Sequence, residues 1–357
     1  MRDAHLPDAI PTLTAVLERW GCDHPGKESV ADAVRLTAEA GARLGRIVAA
    51  QPVGDALSDG GVPEPATDAA GDQRRPLDIQ AEALFVAALS KADVVAVCSA
   101  KTDDPILIVP GGTLVVTLDP IEGSSNIDTN EPIGSIFAVL PANGFEDDPA
   151  AALLQPGRRQ LAAGIIGYGP ATVLAITLGD GTDIYVLDPR SGTFVLTRRH
   201  IEVPVDSSEY AINASNARHW GPGIQEYVKD LVNGELGPRE RDFTMRWLAS
   251  LVAEAYRILL RGGIFLSPAD ARPGYESGHL RLVFEANPVA FLCEQAGASA
   301  TDGITPILDL RPSQPHQRTP LVFGSRNKVE RVLRYLQGPQ PRHEQSPLFS
   351  RRGLFRA

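Results

Sequence analysis

Between residues 94 and 188 the chain strings together "VVAVC", "ILIV", "LVVTL", "IGSIFAVL", "AAGIIGYG", "ATVLAITL" and "DIYVLD", short apolar runs punctuated by glycine, proline and aspartate. Their β-branched content and their length read as strands. Such a dense succession constrains the chain more than any other feature, because a sheet of that size needs helices to cover it. Helical spacing occurs before it, over residues 7–20 and 29–49, where Val30, Ala33, Leu36, Ala40, Leu44 and Ile47 recur every three or four positions. "LDIQAEALFVAALSKA" reads as a third helix. After residue 200 helical patterns dominate. Trp247, Leu248, Leu251, Val252, Ala255, Tyr256, Leu259 and Leu260 make one broad apolar face, "RLVFEANPVAFLCEQAGA" a second helix, and "LVFGS" a late strand.

The expected architecture is α/β, with two fused and layered α/β domains divided near residue 200. Residues 1–200 form the first, residues 201–337 the second, and the Pro/Arg-rich residues 338–357 a tail. Within the first, residues 51–72 ("QPVGDALSDGGVPEPATDAAGD") carry almost no large apolar groups and read as either a disordered or a functional loop.

Composition narrows the function. The 357 residues are 43% hydrophobic and 22% charged, as in soluble globular proteins. No apolar run reaches the roughly 18–20 residues of a membrane span, and no signal core opens the chain. Cys22, Cys98 and Cys293 are scattered, as free thiols of a reducing cytoplasm would be. A net charge of −10 argues against a nucleic-acid partner.

Chemistry concentrates in "TLDPIEGSSNID", where Asp119 and Glu122 stand at a strand end before Gly123, Ser124 and Ser125. Two carboxylates there can bracket a hard divalent cation, and the small-residue turn offers hydroxyls and amides to phosphate oxygens. The plainer alternative is a β-turn with a capping serine and solvated acids. Glu285 lies among Val283, Phe284, Val289 and Leu292, where a charge needs either a metal or an arginine partner. Arg246, at the expected start of the long helix, is either a phosphate grip or a solvated helix-start residue.

The stretches "TLTAVLERW", "GDQRRPLD", "LDPIEGSSNID", "IGSIFAV", "YAINASN", "MRWLASLVAEAYRILLRGGIFLSPAD", "GHLRLVFEANP" and "HQRTPLVFGS" resemble, in order and along nearly the whole chain, class I fructose-1,6-bisphosphatases. The similarity is greatest to the autotrophic bacterial branch that serves the Calvin cycle. The resemblance implies a layered sugar-phosphatase fold and hydrolysis of the 1-phosphate of fructose 1,6-bisphosphate, with sedoheptulose 1,7-bisphosphate as the open alternative. It implies Mg²⁺ (or Mn²⁺), two or fewer ions per site, in a cytoplasmic homotetramer. By the resemblance, Asp119 and the Ile121 carbonyl would be metal ligands, with Glu122 and Glu285 at a second ion. Asp72 would bind a loop metal, and Asp78 would help orient the attacking water. Glu122, Gly123, Ser124 and Ser125 would meet the 1-phosphate end of the substrate. Asn213, Arg246, Trp247, Ser267 and His279 would meet the 6-phosphate end, the arginine reaching from a neighbouring subunit.

The chain also departs from that pattern. The family's Ser-Glu-Glu after the first strand is Ser99-Ala100-Lys101, which removes a metal ligand and puts an ammonium where cations sit. Glu122 replaces an aspartate, His279 a lysine and Ser267 a tyrosine. Two readings follow: a metal-dependent bisphosphatase, or an impaired homologue that binds sugar phosphate without efficient turnover. The residues that bind inhibitory AMP in relatives are also absent, which implies no AMP inhibition.

Overall fold

The computed structural model describes residues 10–57, 66–67, 73–145 and 148–338. Most of the tail and Asp72 therefore lie outside the described residues. The strand-dense stretch forms one eight-stranded sheet from β1 (Val94–Ser99), β2 (Ile106–Leu107), β3 (Leu114–Glu122), β4 (Ile133–Pro141), β5 (Ala162–Tyr168), β6 (Thr172–Thr177), β7 (Thr182–Asp188) and β8 (Thr193–Arg198). Its order is β8-β7-β6-β5-β4-β3-β1-β2, with β1 and β3 parallel and every other pair antiparallel.

Both faces of this sheet are covered, which is why its central strands read as near-continuous apolar runs. Along β4, Phe137 and Val139 pack under α1 (Leu13–Asp23), α2 (Glu28–Leu57) and α3 (Pro76–Leu89). The alternate residues, Ile136 and Ala138, face the other way. There they meet α5 (Leu251–Arg261) and α6 (Asn287–Gln295). Helix α5 lies against the sheet because β4 carries Gly134: a Cβ there would fall 2.5 Å from the Val252 side chain.

A second sheet closes the far side of α5 and α6. It comprises β9 (Glu209–Ile212), β10 (Thr244–Met245), β11 (Ile264–Ser267), β12 (Ser299–Thr301) and β13 (Leu321–Gly324), in the order β10-β9-β11-β13-β12. Alternation again sorts its residues. Ala211 and Phe265 face α5 and α6, whereas Tyr210, Ile212 and Ile264 face α4 (Pro222–Val232) and α7 (Arg326–Gln337). The result is five layers, helix and sheet alternating.

Three expectations change. Helix α2 continues through Pro52 and Gly54 to Leu57, so the first residues of the expected loop are helical. Pro52 removes one amide donor from a thirty-residue helix, a local cost that propagation along so long a segment can absorb. The long helix begins at Leu251, not at Arg246: Ala249 takes a left-handed φ of 52°, and Ser250 caps the helix by accepting from the Ala253 amide at 3.3 Å. The second half also holds six short strands besides "LVFGS", because two- to four-residue runs carry too little periodicity to separate from helix.

Candidate active site at the end of strand β3

The ladder between β3 and β4 pairs Asp119 with Ile136 and then Glu122 with Gly134. Three steps along β3 thus match two along β4, a bulge at Pro120–Ile121, where proline has no amide to give. Residues three apart on a regular strand point to opposite faces. The extra residue instead brings Asp119 and Glu122 to one face, that of α5 and α6. Both carboxylates are buried, at 2% and 9% exposure, which disposes of the solvated-acid alternative.

Glu122 meets the N-terminus of α5. Its carboxylate accepts from Ser250 Oγ at 2.8 Å, the Leu251 amide at 2.8 Å and the Val252 amide at 3.1 Å. These are donors that a helix start leaves unmatched, and its dipole favours the anion. Burial still pushes Glu122 up to about 7, against the pull of those three bonds. The residue expected to hold metal and substrate is therefore occupied as a helix cap. Its extra methylene extends the carboxylate as far as α5.

Asp119 has a different setting. Its Oδ1 receives no hydrogen bond, and Lys101 Nζ stands 3.6 Å away. The same ammonium lies 3.8 Å from Oδ1 of Asp78, which also receives no hydrogen bond. Asp78 belongs to the first turn of α3, where its other oxygen accepts from the Arg75 amide at 2.9 Å. Burial pushes Asp119 up to about 6; Lys101 and Arg281 oppose the rise, and Glu285 and Asp78 add to it. Ala100 turns into an apolar cluster with Cys98, Val115, Val283 and Phe284 and offers no ligand oxygen.

Glu285 sits in a π-type turn, Leu282–Ala286, that leads into α6. Its Oε2 accepts from the Arg281 amide at 2.5 Å. Burial raises it, and the charges of Arg281, Lys101 and Arg318 offset part of the rise. The arginine-partner alternative thus describes what surrounds Glu285. Arg281, itself buried, was missed from sequence, although its place four residues before Glu285 is a visible signal. Ser250 and the two amides after it were missed too, although a serine directly before a periodic apolar run marks a helix start.

After Glu122 the chain turns through Gly123, at φ 77°, into a short 3₁₀ segment, Ser124–Asn126. Ser124 is half-buried and Ser125 exposed at the surface beside the acids. Asn213, Arg246, Trp247 and Ser267 lie at the ends of strands of the second sheet, whereas His279 precedes the separate two-residue strand Leu280–Arg281. Asn213 and Ser267 end the neighbouring parallel strands β9 and β11, whose register pairs Ile212 with Leu266. Trp247 stacks on Phe265 with ring centroids 6.0 Å apart. Arg246, half-exposed, faces its own chain's Glu209 at 3.8 Å, a carboxylate that Arg257 and Arg261 also reach. His279 is exposed and stacks on Tyr275.

Among the described residues, no three His, Cys, Asp or Glu side chains form a metal-holding group. The unsatisfied Oδ1 of Asp119, with Glu285 close enough to raise it electrostatically, provides hard oxygen chemistry for one divalent ion. Two side-chain carboxylates with a backbone carbonyl suit an ion such as Mg²⁺ that completes its shell with water and phosphate. Lys101 Nζ, 3.8 Å from Asp78 and 3.6 Å from Asp119, puts a positive charge beside that set.

Comparison with known proteins agrees along the chain. Family models described as fructose-1-6-bisphosphatase N-terminal and C-terminal domains match residues 62–199 and 203–337. A protein named fructose-1,6-bisphosphatase class 1 from Azorhizobium caulinodans is 49% identical over 325 residues, covering 91% of this chain and 98% of that one. One of the same name from Acidiphilium cryptum is 48% identical over 354 residues, 99% of this chain and 98% of its own. The crystal structure of Leishmania major fructose-1,6-bisphosphatase in holo form superposes with a TM-score of 0.84 at 30% identity, over 93% of this chain and all of that one.

Proposed function

The chain belongs to the class 1 fructose-1,6-bisphosphatase family, phosphoric monoester hydrolases of carbohydrate metabolism, and from that premise we propose that it hydrolyses the 1-phosphate of fructose 1,6-bisphosphate to give fructose 6-phosphate and phosphate. The observation that carries the reading is the end of β3. A buried, unsatisfied Asp119 stands there a few residues before the Gly123–Ser125 turn, whose small side chains and amides suit phosphate oxygens.

In this reading the 1-phosphate lies against Gly123, Ser124 and Ser125. Asp119, Glu285 and the Ile121 carbonyl hold Mg²⁺ or Mn²⁺; the ion, when bound, polarises the phosphoryl oxygens. Asp78, fixed through one oxygen by the Arg75 amide, presents the other to the attacking water. That water's oxygen bonds to phosphorus as it gives up a proton, the ester bond breaks, and the leaving sugar oxygen takes up a proton in exchange. Asn213, Trp247, Ser267 and His279 receive the 6-phosphate end, with Arg246 completing the pocket of a neighbouring subunit in a cytoplasmic homotetramer. Such an Arg246 must first exchange its own Glu209 for phosphate. The reading of a non-catalytic homologue gains no support from the relatives, which carry the bisphosphatase name.

The test is phosphate release from fructose 1,6-bisphosphate with Mg²⁺ or Mn²⁺. Turnover that a chelator abolishes is expected; no release above background with either ion refutes the proposal. Sedoheptulose 1,7-bisphosphate in the same assay should give a lower kcat/KM.

A further inference from the structure

Lys101 is where this site departs most from a set of ligands waiting for ions. Its position follows from the sheet. Parallel pairing sets Ser99 beside Leu118, and the Ala100 amide donates to the Leu118 carbonyl at 2.8 Å. The Lys101 amide then donates to Ser99 Oγ at 3.1 Å. The lysine therefore leaves β1 level with the last regular residues of β3, directly beside Asp119. Its side chain is only 11% exposed, and the two carboxylates that it faces are 2% and 3% exposed.

A charge so enclosed needs opposite charge nearby, and Lys101 has two carboxylates at nearly equal distance. Neither facing oxygen takes a hydrogen bond. A divalent ion bridging the same two oxygens would sit against the ammonium, and repulsion excludes it. Two nearby described positions add no free carboxylate for a second ion. Ala100 supplies no oxygen, and Glu122 is bound to α5.

We propose that Lys101 is a resident cation of the reaction site, holding Asp78 and Asp119 together in place of a divalent ion, so that each subunit binds one fewer ion than it would without the lysine. The inference rests on the proposed hydrolase reading for its role in turnover. Lys101 then acts as a positioning residue: it fixes Asp119 toward the one ion and Asp78 toward the water.

The experiment is Mn²⁺ stoichiometry by equilibrium dialysis, with electron paramagnetic resonance, on the full chain and on Lys101→Met and Lys101→Arg. Lys101→Met should bind one more Mn²⁺ per subunit than the parent and show a spin-coupled pair, whereas Lys101→Arg, which keeps the charge, should match the parent. Added Mn²⁺ should raise the Tm of Lys101→Met by more than it raises that of the parent. Equal stoichiometry in the parent and Lys101→Met overturns the proposal. So does a spin-coupled Mn²⁺ pair in the parent, which needs no variant to fold. Phosphate release is measured on the same preparations. A parent that does not hydrolyse fructose 1,6-bisphosphate refutes the function, while the stoichiometry still decides the lysine.

Discussion

Two lysines place their ammonium groups away from bulk water, and the two halves of the molecule treat them in opposite ways. Lys101 lies between Asp78 and Asp119. Lys328, in the first turn of α7, is 1% exposed, has no hydrogen-bond acceptor for its Nζ, and sits 4.2 Å over the Phe243 ring. The guanidinium groups of Arg239 and Arg241 crowd the same ring, at 4.8 and 5.1 Å. Burial and the charges of Arg239, Arg241 and Arg331 bring Lys328 down to about 7, with Asp206 pulling the other way. The difference shows what fixes a buried charge. Burial among other cations favours shedding the proton, whereas an opposing carboxylate at close range favours keeping it.

Removing an anion from the first lysine should have the largest effect. Asp119→Asn takes one facing carboxylate from Lys101 and an oxygen from the proposed ion; phosphate release should fall on the order of a hundredfold or more. Turnover within a few-fold of the parent would mean that Asp119 belongs to the fold and not to the chemistry. Glu122 is the control on the same strand. Glu122→Ala leaves the Leu251 and Val252 amides unmatched and should cost roughly 2–3 kcal/mol in urea denaturation. An unchanged midpoint would remove the helix-cap account.

The second lysine is read through pH. Its ordinary value is 10.5, and in the folded chain it is about 7. Between those values the unfolded chain holds the proton and the folded chain does not. Stability should therefore rise with pH across this window, by up to about 1.4 kcal/mol per unit, and be lost as pH falls through about 7. Denaturation of parent and Lys328→Met at pH 7 and pH 9 checks it, since the variant should lack that increment; matching slopes would leave Lys328 no different from a surface lysine. The smallest effect expected is that of Ser250→Ala, about 1 kcal/mol, from loss of the cap on α5. No measurable change in its denaturation midpoint would assign the capping of α5 to Glu122 alone.

Much of this was legible in sequence, for physical reasons that also explain the gaps. The β-branched runs announced seven of the eight strands of the large sheet, because burial on both faces demands them. β8 escaped notice because its ends are exposed and polar. The crowding of Asp119 and Glu122 was plain. Their separate occupations were not, because these depend on a bulge that only pairing with β4 creates and on a helix start 128 residues away. Lys101 was visible as an intruder in a ligand position. Which carboxylates it faces depended on the parallel alignment of β1 with β3, a non-local fact no spacing encodes.

The bond between Glu122 and the start of α5 makes a mechanical link as well as a cap. It clamps the rim of the eight-stranded sheet to the helix that carries the second sheet's neighbour, and Arg246 and Trp247 sit just upstream of that clamp. In the proposed hydrolase, a displacement of the Gly123–Ser125 turn is expected to pull through Glu122 on the segment that carries Arg246 and Trp247, which would couple the two proposed phosphate ends of one ligand.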